Sequence, residues 1–178
     1  VFYADSEFGS SIQVNPDGTA ELVRAQQSNY GFELMTSAQV RDDLSISFSA
    51  AYNDGENDPD DDGNYDALPS LQVLPLSLNL GATWDYSDKL RLSGNVYYLD
   101  SRDRAFDDGV DTYELDGYVT VDVGLEYKLG AGALSAQITN LFDEFYLPAE
   151  SQSRTGITSD LRTAGQGRAL SITYSTTF

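Results

Sequence analysis

Carboxylates are the residues best equipped for chemistry in this chain of 178 residues. From Asn53 to Asp66 it reads NDGENDPDDDGNYD, which carries Asp54, Glu56, Asp58, Asp60, Asp61, Asp62 and Asp66 and no basic residue. Asp58-x-Asp60-x-Asp62-Gly63, with Asp66 further on, follows the front half of a calcium loop. Hard cations need clustered carboxylate oxygens, and the glycine permits a sharp turn. Calcium is therefore the candidate cofactor, with Asp58, Asp60, Asp62 and Asp66 as side-chain ligands and the Asn64 carbonyl as a further one. Two features oppose this. Pro69 stands where the bidentate glutamate would be, and blocks of like charge are commonly solvated, flexible loops. A solvated loop is the favoured expectation.

Other chemistry is scarce. There is no His and no Cys, which removes the Ser-His-Asp and Cys-His nucleophile arrangements and the commonest metal ligand. Paired carboxylates could still hydrolyse glycosides, but no spacing suggests such a pair, so an enzyme is not expected. A net charge of −19 disfavours nucleic acid and anionic lipid surfaces. Arg102 and Arg104 interrupt a second acidic stretch, Asp100 to Gly117, with Tyr97, Tyr98, Phe106 and Tyr113 nearby. Arginine and aromatics could contact a chelate or sugar ring; girdle and loop packing is the preferred reading.

The elements that hold these stretches show themselves by period-two alternation. Val119, Val121, Val123, Leu125, Tyr127 and Leu129 share one parity, and Tyr118, Thr120, Asp122, Gly124, Glu126 and Lys128 the other, which places the two sets on opposite faces of a strand. Leu76 to Tyr86, Leu90 to Tyr98, Leu44 to Tyr52 and Leu170 to Phe178 repeat the pattern, and Tyr30 to Val40 follows it more weakly. About eight strands are expected, near 1–14, 21–40, 43–53, 75–86, 90–101, 117–129, 133–146 and 167–178, with no substantial helix.

Two features separate a membrane barrel from a soluble sandwich. Aromatics gather at strand ends (Tyr52, Trp84, Tyr86, Tyr98, Tyr127 and Phe178), where barrels carry interfacial girdles. The connections also alternate strictly. Arg41-Asp42-Asp43, Ser87-Asp88-Lys89 and Gly130-Ala131-Gly132 are short; Asn53 to Ser70, Asp100 to Gly117 and Leu147 to Gly167 are long. Tight periplasmic turns and long external loops require this order. The expected fold class is all-β, a transmembrane antiparallel β-barrel in the bacterial outer membrane, with lipid and lipopolysaccharide around it. No stretch is apolar for long enough to be a membrane-spanning helix. The chain opens on a strand-like Val1-Phe2-Tyr3 without a Met or a leader, so an earlier segment is expected.

Asn140-Leu141-Phe142-Asp143-Glu144-Phe145-Tyr146, followed by a loop, Gly167-Arg168, an alternating strand and a terminal Phe178, resembles the C-terminus of TonB-dependent receptors. Tyr30-Gly31-Phe32-Glu33-Leu34 and Leu74-Pro75-Leu76-Ser77-Leu78-Asn79-Leu80 extend the resemblance over essentially the whole chain. It implies that residues 1–178 are the last eight or so strands of a 22-stranded barrel closed over a plug. It further implies uptake of a scarce nutrient such as an iron–siderophore, cobalamin or a glycan, with TonB engaged through the missing N-terminal part. Leu170, Ile172, Tyr174 and Phe178 resemble the signal read by the barrel assembly machinery. Asn140 and Asp143 are expected to end a strand by bonding local backbone, and Arg168 to pair with a lumen carboxylate, Asp122 or Glu126. The alternative is a free-standing eight-stranded barrel with a structural or adhesive role, since eight strands suffice for closure.

Overall fold

The computed structural model describes residues 1–14, 19–153 and 162–176. The strands are β1 (Phe2–Val14), β2 (Ala20–Arg41), β3 (Leu44–Asp58), the short β4 (Asp66–Ala67), β5 (Ser77–Asp85), β6 (Leu90–Leu99), β7 (Tyr118–Leu129), β8 (Gly132–Thr139) and β9 (Ala169–Thr176). Two one-turn helices, α1 (Arg104–Asp107) and α2 (Ala149–Gln152), lie in loops. The strands form one antiparallel meander in the order β1-β2-β3-β5-β6-β7-β8-β9, with β4 bonded only to β3. β1 and β9 stand at opposite ends of this order. The sheet is open, as a part of a barrel wall is, and the closed eight-stranded alternative is not what the chain forms.

Register turns the alternation of single strands into continuous rows. Phe48, Leu80, Val96 and Val121 pair in succession across β3, β5, β6 and β7. Ile46, Ala82, Gly94, Val123, Ile138 and Leu170 make a second apolar row reaching β9. One residue along, Ser47, Gly81, Asn95 and Asp122 pair in the same way. Direct partners in an antiparallel ladder share a face, so one face is apolar and the other polar. A shift of one residue would exchange them. Ser37, Ser45, Ser47, Thr83, Ser93, Asn95, Asp122 and Gln137 line a trough of about 340 Å³ on the polar side.

The three short turns lie together. Asp85 donates its amide to the Asp43 carbonyl (2.8 Å) and Lys128 to the Lys89 carbonyl (2.9 Å). Trp84 Nε1 donates to Asp43 Oδ2 (2.9 Å). The long loops gather at the other end.

Two strand boundaries differ from expectation. β3 continues through the first half of the acidic run to Asp58, pairing with Gln26–Gly31 of β2. β8 stops at Thr139, so Asn140–Tyr146 is not strand. Asn140 and Asp143 take φ of +48° and +59°, a left-handed backbone that ends a ladder and that Asn and Asp tolerate better than other side-chain-bearing residues. Strand length also varies. A membrane crossing needs about 9–11 residues, which β5 to β7 provide with 9, 10 and 12. β2 has 22 and β3 has 15, so their loop-side ends stand clear of the bilayer.

Candidate functional site

The loop-side end holds the densest set of interactions. Asp54 sits near the top of β3, buried, and Arg102 opens the β6–β7 loop, also buried. Arg102 Nη2 donates to Asp54 Oδ1 (3.0 Å) and to the Leu68 carbonyl (2.9 Å), and Nη1 to Ser70 Oγ (2.8 Å). Arg104 reaches Asp54 Oδ2 (3.2 Å) and Glu56 Oε2 (2.6 Å) from the edge of the cluster. Two aspartates of the same loop cap amides of the β3–β5 loop: Asp108 Oδ2 accepts from Ala67 (2.8 Å) and Asp111 Oδ2 from Ser70 (3.0 Å). Burial alone would raise the Asp54 carboxyl; the Gly55 amide and the Arg102 and Arg104 guanidiniums outweigh it and hold the carboxyl below its ordinary range. Apolar residues fill the space between. Ala67, Leu68 and Val73 come from one loop, and Leu99, Ala105 and Leu115 from the end of β6 and the loop after it; all are at most 2% exposed. Gly55 leaves the room that Leu68 takes, since a β-carbon there would lie 2.8 Å from Leu68 Cδ1. Arg102 and Arg104 are thus committed to Asp54 and Glu56, in keeping with loop packing rather than ligand contact.

The acidic tip beyond β3 is organised from within. Asp58, Asp60 and Asp62 each bring a carboxylate oxygen within 4.8 Å of the other two. Asp66 is not one of this group; it lies in β4, opposite Asn57. Asp58 accepts from the Asp62 amide (3.2 Å) and the Gly63 amide (2.9 Å), and Asp62 accepts from the Asn64 amide (2.8 Å) and side chain (2.9 Å). Gly63 has φ of +85°, a conformation that favours glycine. Partial desolvation and then the Asp62 and Asp58 charges raise the Asp60 carboxyl. The Asn64 amide and side chain lower that of Asp62. These backbone bonds compact the tip without requiring an ion.

The Asn140–Tyr146 segment folds into a corner joining three strands. The Asn140 amide donates to Asp122 Oδ1 (2.9 Å) and the Leu141 amide to the Val121 carbonyl (2.7 Å), both on β7. Asn140 Nδ2 donates to the carbonyls of Glu144 (2.8 Å) and Gln166 (3.0 Å), and its Oδ1 accepts from the Glu144 amide (2.9 Å). Asp143 Oδ1 accepts from the Arg168 amide (2.8 Å), and a β-carbon on Gly167 would lie 3.3 Å from that oxygen. Asn140, Leu141, Asp143, Gly167 and Arg168 are therefore in one cluster. The expected partner of Arg168 is corrected: its guanidinium lies 4.0 Å from Asp143 and reaches toward the Leu141 carbonyl at 3.5 Å. Asp122 is occupied by the corner, and Glu126 lies four residues further along β7. Phe142 and Phe145 are largely exposed. Leu170, Ile172 and Tyr174 are exposed on the apolar face of β9; Phe178 lies outside the described residues.

Tyr146 leads to a feature the sequence reading missed. It stacks on Tyr118 with ring centroids 4.4 Å apart, and Tyr118 lies 5.8 Å from Tyr97. Tyr97 and Tyr118 both carry the polar-face parity, so the three rings form a column on the inner surface. Aromatic side chains on an otherwise polar parity were the available signal.

An open antiparallel wall with one apolar and one polar face, aromatic strand ends, and turns and long loops at opposite ends is a piece of outer-membrane β-barrel. The particular family follows from sequence. The chain matches the "TonB dependent receptor-like, beta-barrel" family over residues 3–141 and belongs to it. The iron-regulated outer membrane virulence protein of Vibrio cholerae is 25% identical over 122 residues, 67% of this chain and 18% of that protein. Among solved structures, the copper transporter OprC superposes with a TM-score of 0.72 at 22% identity, over 95% of this chain and 26% of that one. The siderophore receptor PiuA from Acinetobacter baumannii gives 0.67 at 20%, over 97% and 24%. The ferripyoverdine receptor of Pseudomonas aeruginosa gives 0.70 at 13%, over 97% and 23%. At these identities the structural likeness is one of fold. The chain spans about a quarter of each solved structure and less of the curated relative. Its place is the bacterial outer membrane.

Proposed function

We propose that residues 1–178 are the C-terminal segment of the barrel of a TonB-dependent uptake receptor that takes in a scarce nutrient, with an iron–siderophore complex preferred over cobalamin or a glycan. The observation that carries this reading is the family match on a wall whose outer row is apolar and whose inner row is polar. The iron preference rests on the relatives: an iron-regulated outer-membrane protein and receptors for siderophores and ferripyoverdine. The remaining strands would continue from the two edges, because an unpaired ladder in lipid leaves backbone groups unsatisfied. The plug would fill the polar trough, TonB would engage a segment outside this chain, and the assembly machinery would read Leu170, Ile172, Tyr174 and Phe178. Cells expressing the intact receptor should accumulate radiolabelled ferric siderophore, and a protonophore should stop accumulation while leaving surface binding. Uptake that ignores the protonophore would sink the reading.

Calcium at Asp58, Asp60 and Asp62 is a secondary proposal, supported by the converging carboxylates; Asp66 would have to swing out of β4 to join. Calcium–oxygen distances of about 2.3–2.6 Å are expected. Calorimetric titration of the intact receptor beside an Asp60→Asn/Asp62→Asn variant checks it, and equal heats would remove the site.

A further inference from the structure

The described strand wall is a single sheet, and its rows of Leu, Val and Ile have no protein layer against them. Of the eight buried apolar residues among those described, six lie between the β3–β5 and β6–β7 loops or at the end of β6 (Ala67, Leu68, Val73, Leu99, Ala105 and Leu115). The loops thus hold a small hydrophobic core of their own, on top of the barrel. Arg102 lies at its centre, with its side chain 7% exposed. All three of its side-chain acceptors belong to β3 or the loop that follows it. Its own backbone closes the base of the β6–β7 loop, exchanging amide and carbonyl bonds with Leu115 at 2.8 Å each.

We infer that these two loops form one rigid body, clamped by Arg102, that does not open loop by loop. Separating them would break the buried Arg102–Asp54 pair and the Arg102 bonds to Leu68 and Ser70 all at once. It would also release the Ala67 and Ser70 amides from Asp108 and Asp111 and expose Leu68, Val73 and Leu115. By contrast, the described part of the loop between β8 and β9 meets this body through one buried but uncharged side chain, Gln152, and one exposed cation, Arg162. Gln152 exchanges two hydrogen bonds with the Asp116 backbone, and the Arg162 guanidinium lies 4.2 Å from the Tyr113 ring centroid. Given the uptake reading proposed above, the paired loops are a fixed buttress of the outer rim.

Hydrogen–deuterium exchange on the intact receptor tests this without reference to transport, so failed uptake and failed coupling are distinguishable. Peptides covering Asp66–Val73 and Arg102–Leu115 should exchange slowly and at a common rate. Arg102→Ala should accelerate both, on the order of a hundredfold, and leave β5 and β7 unchanged. Arg104→Ala, at the half-exposed edge, should accelerate them far less. Should Arg102→Ala fail to assemble, Arg102→Lys keeps the charge but lacks the planar fork whose two Nη atoms reach Ser70, Asp54 and Leu68, and it should again release both loops. Fast exchange of one loop beside slow exchange of the other in the unmodified receptor would overturn the inference. So would a variant that frees only the β6–β7 loop.

Discussion

The barrel wall and the loop body above it are stabilised by different solvents. In the wall, Leu80, Val119, Leu170 and Ile172 are all more than 40% exposed to what surrounds them, and the described sheet buries only Ala25 and Ala50 among its apolar residues away from the loop body. Its apolar rows gain stability only once lipid covers them, while the ladder satisfies the backbone internally. The loop body instead buries Leu68, Val73 and Leu115 against each other, as a small soluble domain does. One sequence therefore follows two opposite rules for apolar residues, outward in the wall and inward above it, and β3 passes from one to the other near Tyr52.

The contrast predicts where damage should stay confined. Leu68→Ala, truncating one of the three buried leucines of the small core, should cost about 2–5 kcal/mol and speed amide exchange in both loops, while the heat-modifiable migration of the assembled barrel stays unchanged. Loss of barrel assembly would show that the two regions are not separable. Val121→Arg should do the reverse. A charge at the lipid midplane costs about 2–4 kcal/mol, so the fraction of folded barrel should fall, whereas Ser47→Arg on the polar row should be tolerated; equal effects would reverse the assignment of faces. Asn140→Ala removes three side-chain hydrogen bonds and places alanine at positive φ, costing about 1–3 kcal/mol. Its effect should appear as slowed assembly or increased exchange in β9, measured by pulse proteolysis, with the loop body unaffected.

The smallest effect expected is with acid. The Asp54 carboxyl is held below its ordinary value, so its contribution is complete above the unfolded value near ~3.9 and is lost only as pH falls through the lower, folded value. Tyr30 and Tyr52 both donate to Asp54 Oδ2 at 3.4 Å. Their near-ultraviolet dichroism should therefore hold from neutral pH down to the ordinary carboxylate range and change below it, and Asp54→Asn should abolish that transition. A change near neutrality would point to a different group.

Much of the wall was legible because period two is a local signal. Val119 to Leu129 announces its two faces without any partner, and the short and long connections place the turns at one end. The loop body was not legible, because Arg102 and Asp54 are 48 residues apart and neither neighbourhood indicates the other. Asp54 and Glu56 read as part of a solvated acidic loop; their pairing with Arg102 and Arg104 keeps β3 in strand beyond Asn53. The Asn140 corner was half legible. The residue types suggested a strand end, but two left-handed residues place that end at Thr139 and turn the chain back to Gln166 and Arg168, which also takes Arg168 away from the lumen carboxylates.

The turn-side end also has an optical consequence. Trp84 is the only tryptophan in the chain. It donates to Asp43, packs edge-on to Tyr86 at 5.0 Å and has the Arg41 guanidinium 5.9 Å from its ring centroid. The Arg41 and Trp84 bonds hold the Asp43 carboxyl at about 2, so this arrangement stays charged across the pH range in which bacteria live. The indole is thus a native fluorophore fixed at the short-turn rim of the wall. Its emission should register this rim entering the bilayer interface and stay silent to changes in the loops at the opposite end.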